Sequence, residues 1–188
     1  HRAVVYNSCG DRHCPQCSGA KRRDWLDSSA QLLLPGVTYY QVVFTIPDKL
    51  SSLTLGNRQE MFDLLFRSAW RALKQTIENE QQFEAAAAMM LHTWNQHLEA
   101  HVHVHAFVPG GGPSLQKPNE WKTARPPAHK TQHQFWLVEA DDLRLAFRTA
   151  FLTGLRRLQT RGKLKLDGEC SHLQDAAAFE DWLTSLEN

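Results

Sequence analysis

The hydrophobic pattern changes period several times along the chain. Val37-Thr38-Tyr39-Tyr40-Gln41-Val42-Val43-Phe44-Thr45-Ile46 is dense in β-branched and aromatic residues and stops at Pro47, which predicts a strand. Side chains alternate along a strand, so Tyr40, Val42, Phe44 and Ile46 share an apolar face and the other face is more polar. From Asn57 the period becomes helical. Asn57 followed by Glu60 reads as a capped helix start, and Met61, Leu64, Leu65, Trp70, Leu73 and Ile77 recur as a core stripe up to about Gln81. Met89–Trp94 predicts a second strand, joined by the polar link Asn95–Ala100 to a third, His101–Val108, as an antiparallel hairpin. Residues 113–134, rich in Pro, Lys, Gln and His, predict an exposed loop or ribbon, and Phe135–Val138 a brief strand. A helix capped by Asp141 or Asp142 would turn Leu145, Ala146, Thr149, Leu152 and Leu155 inward and Arg144, Arg148, Arg156 and Arg157 largely outward, ending at Gly162. A last helix from Asp175 to about Leu186 would bury Phe179, Trp182, Leu183 and Leu186, and a short one from Asp24 through Leu34 precedes the first strand. The sum is an α+β fold, an antiparallel sheet with helices on one face.

Composition adds bounds. With 188 residues, 42% hydrophobic and 22% charged, the chain has the make-up of an ordinary globular protein able to bury a core. No apolar run reaches bilayer length and the opening lacks a signal-peptide pattern, so the reading is cytosolic, bacterial-type and nucleoid-associated. Net charge is only +1, but residues 1–23 hold five bases against one acid and residues 117–165 eleven against four, while 166–188 hold six acids and no base. Such basic segments suit a surface that meets phosphates.

Cys9, Cys14 and Cys17 crowd together, with Pro15 inside the C-x-x-C turn. Thiolates clustered in a cytosolic chain point to structural Zn²⁺ and not to disulfides. The fourth ligand stays open: His13 is cramped beside Cys14, His1 is another choice, and so is a residue upstream. Cys170 reads as a small buried residue. The expected organisation is a zinc-binding module over residues 1–34 followed by the α+β domain over 35–188.

His101-Val102-His103-Val104-His105 places three imidazoles on one strand face and valines on the other. Imidazole is the commonest protein ligand for transition metals. The run matches the histidine-triad pattern of nucleotide hydrolases, in which a histidine attacks a phosphate without metal. His103-Val104-His105 also matches the HUH pattern, two histidines flanking one hydrophobic residue, which holds Mg²⁺ or Mn²⁺ in single-strand endonucleases.

The linked motifs decide between them. Val5-Tyr6-Asn7-Ser8-Cys9 through Cys17, Phe44-Thr45-Ile46-Pro47, Leu91-His92-Thr93-Trp94-Asn95-Gln96, His101–His105 with Val108-Pro109-Gly110-Gly111-Gly112, and Leu155-Arg156-Arg157-Leu158 together resemble the rolling-circle insertion-sequence transposases of the HUH (tyrosine) superfamily with an N-terminal zinc-binding region. The resemblance covers nearly the whole chain. It implies an HUH nuclease-like fold and a nickase and strand transferase acting on single-stranded DNA at transposon ends through a 5′-phosphotyrosine. It also implies catalytic Mg²⁺ or Mn²⁺ on His103 and His105, with Gln96 as third ligand (Glu99 as another choice), and His101 in a supporting place. Arg12, Lys21, Arg22, Arg23, Arg156 and Arg157 are candidate DNA contacts, and Trp94 or Trp121 a candidate base stack. In that family a further Cys-x-x-Cys lies upstream of His1 and the nucleophilic tyrosines beyond Asn188. Tyr6, Tyr39 and Tyr40 match no family tyrosine, so the expectation is a chain without its nucleophile. A histidine-triad nucleotide hydrolase or transferase, and a zinc-stabilised DNA-binding module without catalysis, are the alternatives.

Overall fold

The structure is a computed structural model that describes residues 23–24, 27–94, 100–125 and 136–186. The chain forms two compact units, His1–Val37 and Thr38–Asn188. In the first unit, residues 27–30 are helical and residues 31–36 turn, with Gly36 at φ +74. The helix expected through Leu34 therefore ends earlier, as the residue before a proline is pushed out of the helical region.

The second unit runs β1 (Tyr39–Thr45), a 3₁₀ turn (Asp48–Leu50), α1 (Ser51–Gly56), α2 (Arg58–Gln81), β2 (Ala88–Trp94), β3 (Ala100–Pro109), β4 (Gly111–Pro113), β5 (Trp121–Thr123), α3 (Ala140–Thr160), a 3₁₀ stretch (Gly168–Gln174) and α4 (Ala176–Thr184). Strands and helices segregate as the sequence expects, giving an α+β fold. The main sheet has the order β1-β3-β2, antiparallel throughout, so the histidine strand is central. The expected β2–β3 hairpin is present, with a register irregularity between His92 and Trp94. Part of the expected 113–134 ribbon forms as β4 pairing β5.

Alternation sorts the sheet into two faces. Val102, Val104, Ala106 and Val108 of β3 are buried together with Phe44 and Ile46. Leu65, Ala69, Leu73 and Ile77 of α2 and Phe151, Leu152 and Leu155 of α3 join the same core. The opposite face keeps Val43, Met90 and Phe107 exposed. An antiparallel sheet tolerates this one-sided cover because ladder hydrogen bonds satisfy its backbone whichever face is wet.

Four expectations are corrected. Trp70 is exposed, because the α2 core stripe passes through Ala69, Ala72 and Leu73 instead. Leu145 and Thr149 of α3 are exposed, and the buried set starts at Leu143 and continues through Phe151, Leu152 and Leu155, which rotates the inward face. Leu137 and Val138 are buried but are not a strand; they lie in the loop that leads into α3. Asn57 precedes α2 without capping it. Its amide instead donates to the Leu53 carbonyl (2.9 Å) and the Lys165 carbonyl (3.0 Å) and accepts from the Lys165 amide (2.6 Å), clamping a segment more than a hundred residues away.

A comparable clamp sits at the other end of α2, where Gln81 donates to the Arg125 and Leu137 carbonyls and accepts from the Arg125 amide. Gly112 is required by a close approach: a Cβ there would stand 2.4 Å from the Glu84 carbonyl oxygen. Cys170 is buried, with its thiol pKa raised by burial and by nearby Glu169. No helix among the described residues is long and apolar enough to cross a membrane.

Candidate metal centre

The register of the central strand determines which side chains meet. Residues directly opposite across an antiparallel pair share a face. Thr45 faces His103, Val43 faces His105 and Gln41 faces Phe107 on the β1 side; His92 faces His103 and Met90 faces His105 on the β2 side. The open face of the sheet thus carries His101, His103 and His105 in a row, with His92 brought alongside from the neighbouring strand.

The imidazoles converge. The His92 and His105 rings stack with centroids 4.3 Å apart, His92 and His103 lie at 5.2 Å, and His103 and His105 at 5.0 Å. One ring nitrogen from each of His92, His103 and His105 lies within 4.8 Å of the others. Nitrogens on one ion at about 2.1 Å can be at most about 4.2 Å apart, so small ring rotations bring this set into ligand range. His103 and His105 are half-buried and His92 is exposed, which leaves the solvent side of the cluster open.

Hydrogen bonds orient two of the rings. His103 Nδ1 lies 2.9 Å from the His101 carbonyl oxygen. A carbonyl can only accept, so Nδ1 carries the proton and Nε2 keeps its lone pair for a cation. Gln41 Nε2 lies 2.7 Å from His105 Nδ1. Turning that amide by half a rotation presents Oε1 to an Nδ1 proton and frees His105 Nε2 in the same way. His101 has a different neighbour, the Asp48 carboxylate at 3.7 Å, and it is not one of the converging three. Burial, then the His92 and His103 imidazoles, lower the pKa of His105 below the ordinary 6.5. That keeps this ring neutral, the form a metal needs.

Three imidazoles with no carboxylate among the converging groups suit a transition ion, would need an added oxygen ligand to hold Mg²⁺ or Mn²⁺ well, and leave the ion's positive charge uncancelled. What such a centre can engage is an anion, and a phosphodiester is one. Beside it, Tyr39 and Phe107 stack with centroids 4.6 Å apart and planes 7° from parallel, forming a flat aromatic patch on the same face.

Of the residues singled out from sequence, His103 and His105 come together, and His92 joins them. Sequence reasoning missed His92 because only the hairpin register shows that it lies opposite His103. Gln96, Glu99, Cys9, Cys14, Cys17, Arg12, Lys21 and Arg22 lie outside the described residues, as does the Trp94 side chain. Arg23 is exposed in the first unit. Arg156 and Arg157 lie on α3, on the helix-covered side of the sheet, and Arg156 is held by Glu180 at 2.9 Å. Trp121 is exposed on β5.

Comparison with known proteins follows the same line. Residues 1–46 match the family described as "Transposase zinc-binding domain", and residues 87–188 the family described as "Putative transposase". The chain is 34% identical over 188 residues to "Putative transposase y4qJ" of Sinorhizobium fredii (strain NBRC 101917 / NGR234), covering 99% of this chain and 45% of the relative. It is 34% identical over 122 residues to "Transposase for insertion sequence element IS801" of Pseudomonas savastanoi pv. phaseolicola, covering 65% of this chain and 28% of the relative. The chain thus spans less than half the length of these relatives. Among solved structures it is similar to a conjugative relaxase, TrwC, in complex with oriT DNA, with a TM-score of 0.42, 14% identity, and 63% of this chain and 42% of that chain covered.

Proposed function

This chain belongs to the transposase family matched over residues 87–188, and we propose that it nicks and joins single-stranded DNA at transposon ends with a divalent ion held on the open face of its sheet. The observation that carries the reading is the convergence of His92, His103 and His105 there. A bound Mg²⁺ or Mn²⁺ would polarise the scissile phosphate and offset charge as the nucleophile attacks. The chain's own residues do the rest. His103 is oriented by the His101 carbonyl and His105 by Gln41, so both rings are set before DNA arrives. With an ion bound there, its uncancelled charge would draw the phosphodiester, and the Tyr39–Phe107 patch offers a flat surface to an unpaired base. Gln96 remains a candidate further ligand from the β2–β3 link.

The attacking hydroxyl comes from neither Tyr39 nor Tyr40. Tyr39 shares the histidine face but lies four positions along β1 from Val43, the residue opposite His105, about 13 Å away. Tyr40 points to the core side. The 5′-phosphotyrosine step therefore draws on another tyrosine. For the first part of the chain, the proposal is a zinc-binding module over residues 1–34, with Cys9, Cys14 and Cys17 as ligands, ahead of the nuclease-like domain over 35–188.

The test is Mn²⁺-dependent cleavage of single-stranded DNA by the full-length protein, alongside Mn²⁺ titration of this chain. His103→Ala and His105→Ala abolish cleavage, and His92→Ala weakens Mn²⁺ binding about 10-fold or more. Nicking that survives His103→Ala overturns the reading. So does metal-free turnover of a nucleoside phosphoramidate, which is histidine-triad chemistry.

A further inference from the structure

The helix layer carries a second cationic site. A groove of about 380 Å³ opens between α2 and α3, lined by Arg67 and Arg71 of α2, Arg157 of α3 and Arg161 just past its end. Each pair is spaced by four residues, about 6 Å along its helix, so the groove has two short rows of guanidinium groups. Among the described residues no carboxylate lines it, and Glu80 and Asp142 line only the adjoining groove that shares Arg71 and Arg157. Arg67 reaches Asp63 at 3.8 Å, while Arg71, Arg157 and Arg161 have no ion-pair partner among the described residues. Arg156, the neighbour of Arg157, differs in being neutralised by Glu180.

Two features open the floor to a ligand. Gly154 packs so tightly on α2 that a Cβ would stand 2.2 Å from Leu64 Cδ1, so the helices meet closely beneath the arginines and no side chain fills the space. Ser68 lines the same groove and is 3% exposed. A hydroxyl at the floor of an arginine-lined groove is a donor placed for a phosphate oxygen.

We infer that this groove binds the phosphodiester backbone of double-stranded nucleic acid. Arginine matches phosphate with a planar fork of donors. Single-strand grooves add aromatic side chains on which bases stack, and among the described residues none lines this one, so a paired backbone is the better fit. Because α2 and α3 pack on the valine face of β3, the groove lies on the helix side of the sheet while the histidines lie on its other face. The chain then holds a paired flank on one side and presents its metal site to unpaired DNA on the other. That the ligand is nucleic acid rests on the transposase reading; the arginine geometry does not.

The experiment is anisotropy binding of this chain to a labelled duplex and to a single strand of equal length, between about 50 and 200 mM salt, with Mn²⁺ titrated in parallel. Each phosphate neutralised contributes about 0.9 to the salt slope on duplex, so Arg71→Gln/Arg157→Gln/Arg161→Gln flattens it by about 2.7. Across that salt range the wild type then loses roughly forty-fold more duplex affinity than the triple variant. The Arg→Lys triple keeps the slope, Arg144→Gln (paired with Asp141 elsewhere on α3) leaves it unchanged, and Mn²⁺ binding is unaffected in all. If the triple variant does not fold, Arg157→Gln alone flattens the slope by about 0.9. An unchanged slope, a change on the single strand only, or transfer of the effect to anionic vesicles or an acidic peptide instead of duplex overturns the inference. Loss of Mn²⁺ binding with the slope effect intact strikes the proposed function and leaves this groove standing.

Discussion

A single histidine illustrates how environment selects the protonation state. His105 has its pKa lowered, first by burial and then by the His92 and His103 imidazoles. In the unfolded chain it titrates near the ordinary 6.5, so on acidification the unfolded state binds the proton before the folded state does. Stability is therefore unaffected by this group above 6.5 and is lost as pH falls from 6.5 through the lower folded value. In chelator, melting followed by circular dichroism at pH 7 and pH 5.5 should show a larger fall for wild type than for His105→Gln. An equal fall would mean that the ring is not shielded by its neighbours. His92 makes a related point: it carries the same side chain as His105, but its place in the cluster comes from the strand opposite and not from its own sequence neighbours.

At the scale of the element, α2 shows that an end signal in sequence need not be used as a cap. Asn57 stands where a capping residue belongs, yet its amide makes three bonds to the Leu53 carbonyl and to both backbone groups of Lys165. Asn57 is 3% exposed, so removing the amide leaves buried backbone groups unpaired. Asn57→Ala should cost about 3 kcal/mol, against about 1 for loss of an ordinary cap. Urea unfolding with an unchanged m-value measures it, and a loss near 1 kcal/mol would return Asn57 to the role of a cap. The β3 strand shows the converse. Its alternation was legible because a period of two needs no partner to be read, and the valines are buried and the histidines open as that period requires.

For the second unit as a whole, one core cluster joins the sheet's valine face to α2, α3 and α4. Leu65, fully buried in it, makes no contribution to the histidine face. Leu65→Ala should lower stability by about 2–5 kcal/mol, with near- and far-ultraviolet dichroism lost in one transition. Below its reduced melting point the variant should bind Mn²⁺ as wild type does. A changed affinity would mean that the sheet transmits core strain to the metal site. The two-faced layout is also what separates the open histidine face from the arginine groove, so each site can be altered without disturbing the other.

Local pattern determined much of this protein. Strand alternation, the helical stripe of α2 and the ordered run of cysteine, histidine and glycine motifs were enough to indicate the α+β class, the antiparallel hairpin, the pairing of His103 with His105 and the transposase family. Each of those motifs depends on residues within one or two turns or strand steps of each other, where geometry is nearly independent of context, and the family reading rests on their order along nearly the whole chain. Tertiary structure alone decided that His92 is the third imidazole, that the α3 face is rotated toward Leu143 and Phe151, that Asn57 is a clamp, and that Arg157 faces Arg71 across a groove while Arg156 is tied to Glu180. Each of these depends on register or packing between segments distant in sequence, and a single residue of slip in either would have produced a different set of neighbours.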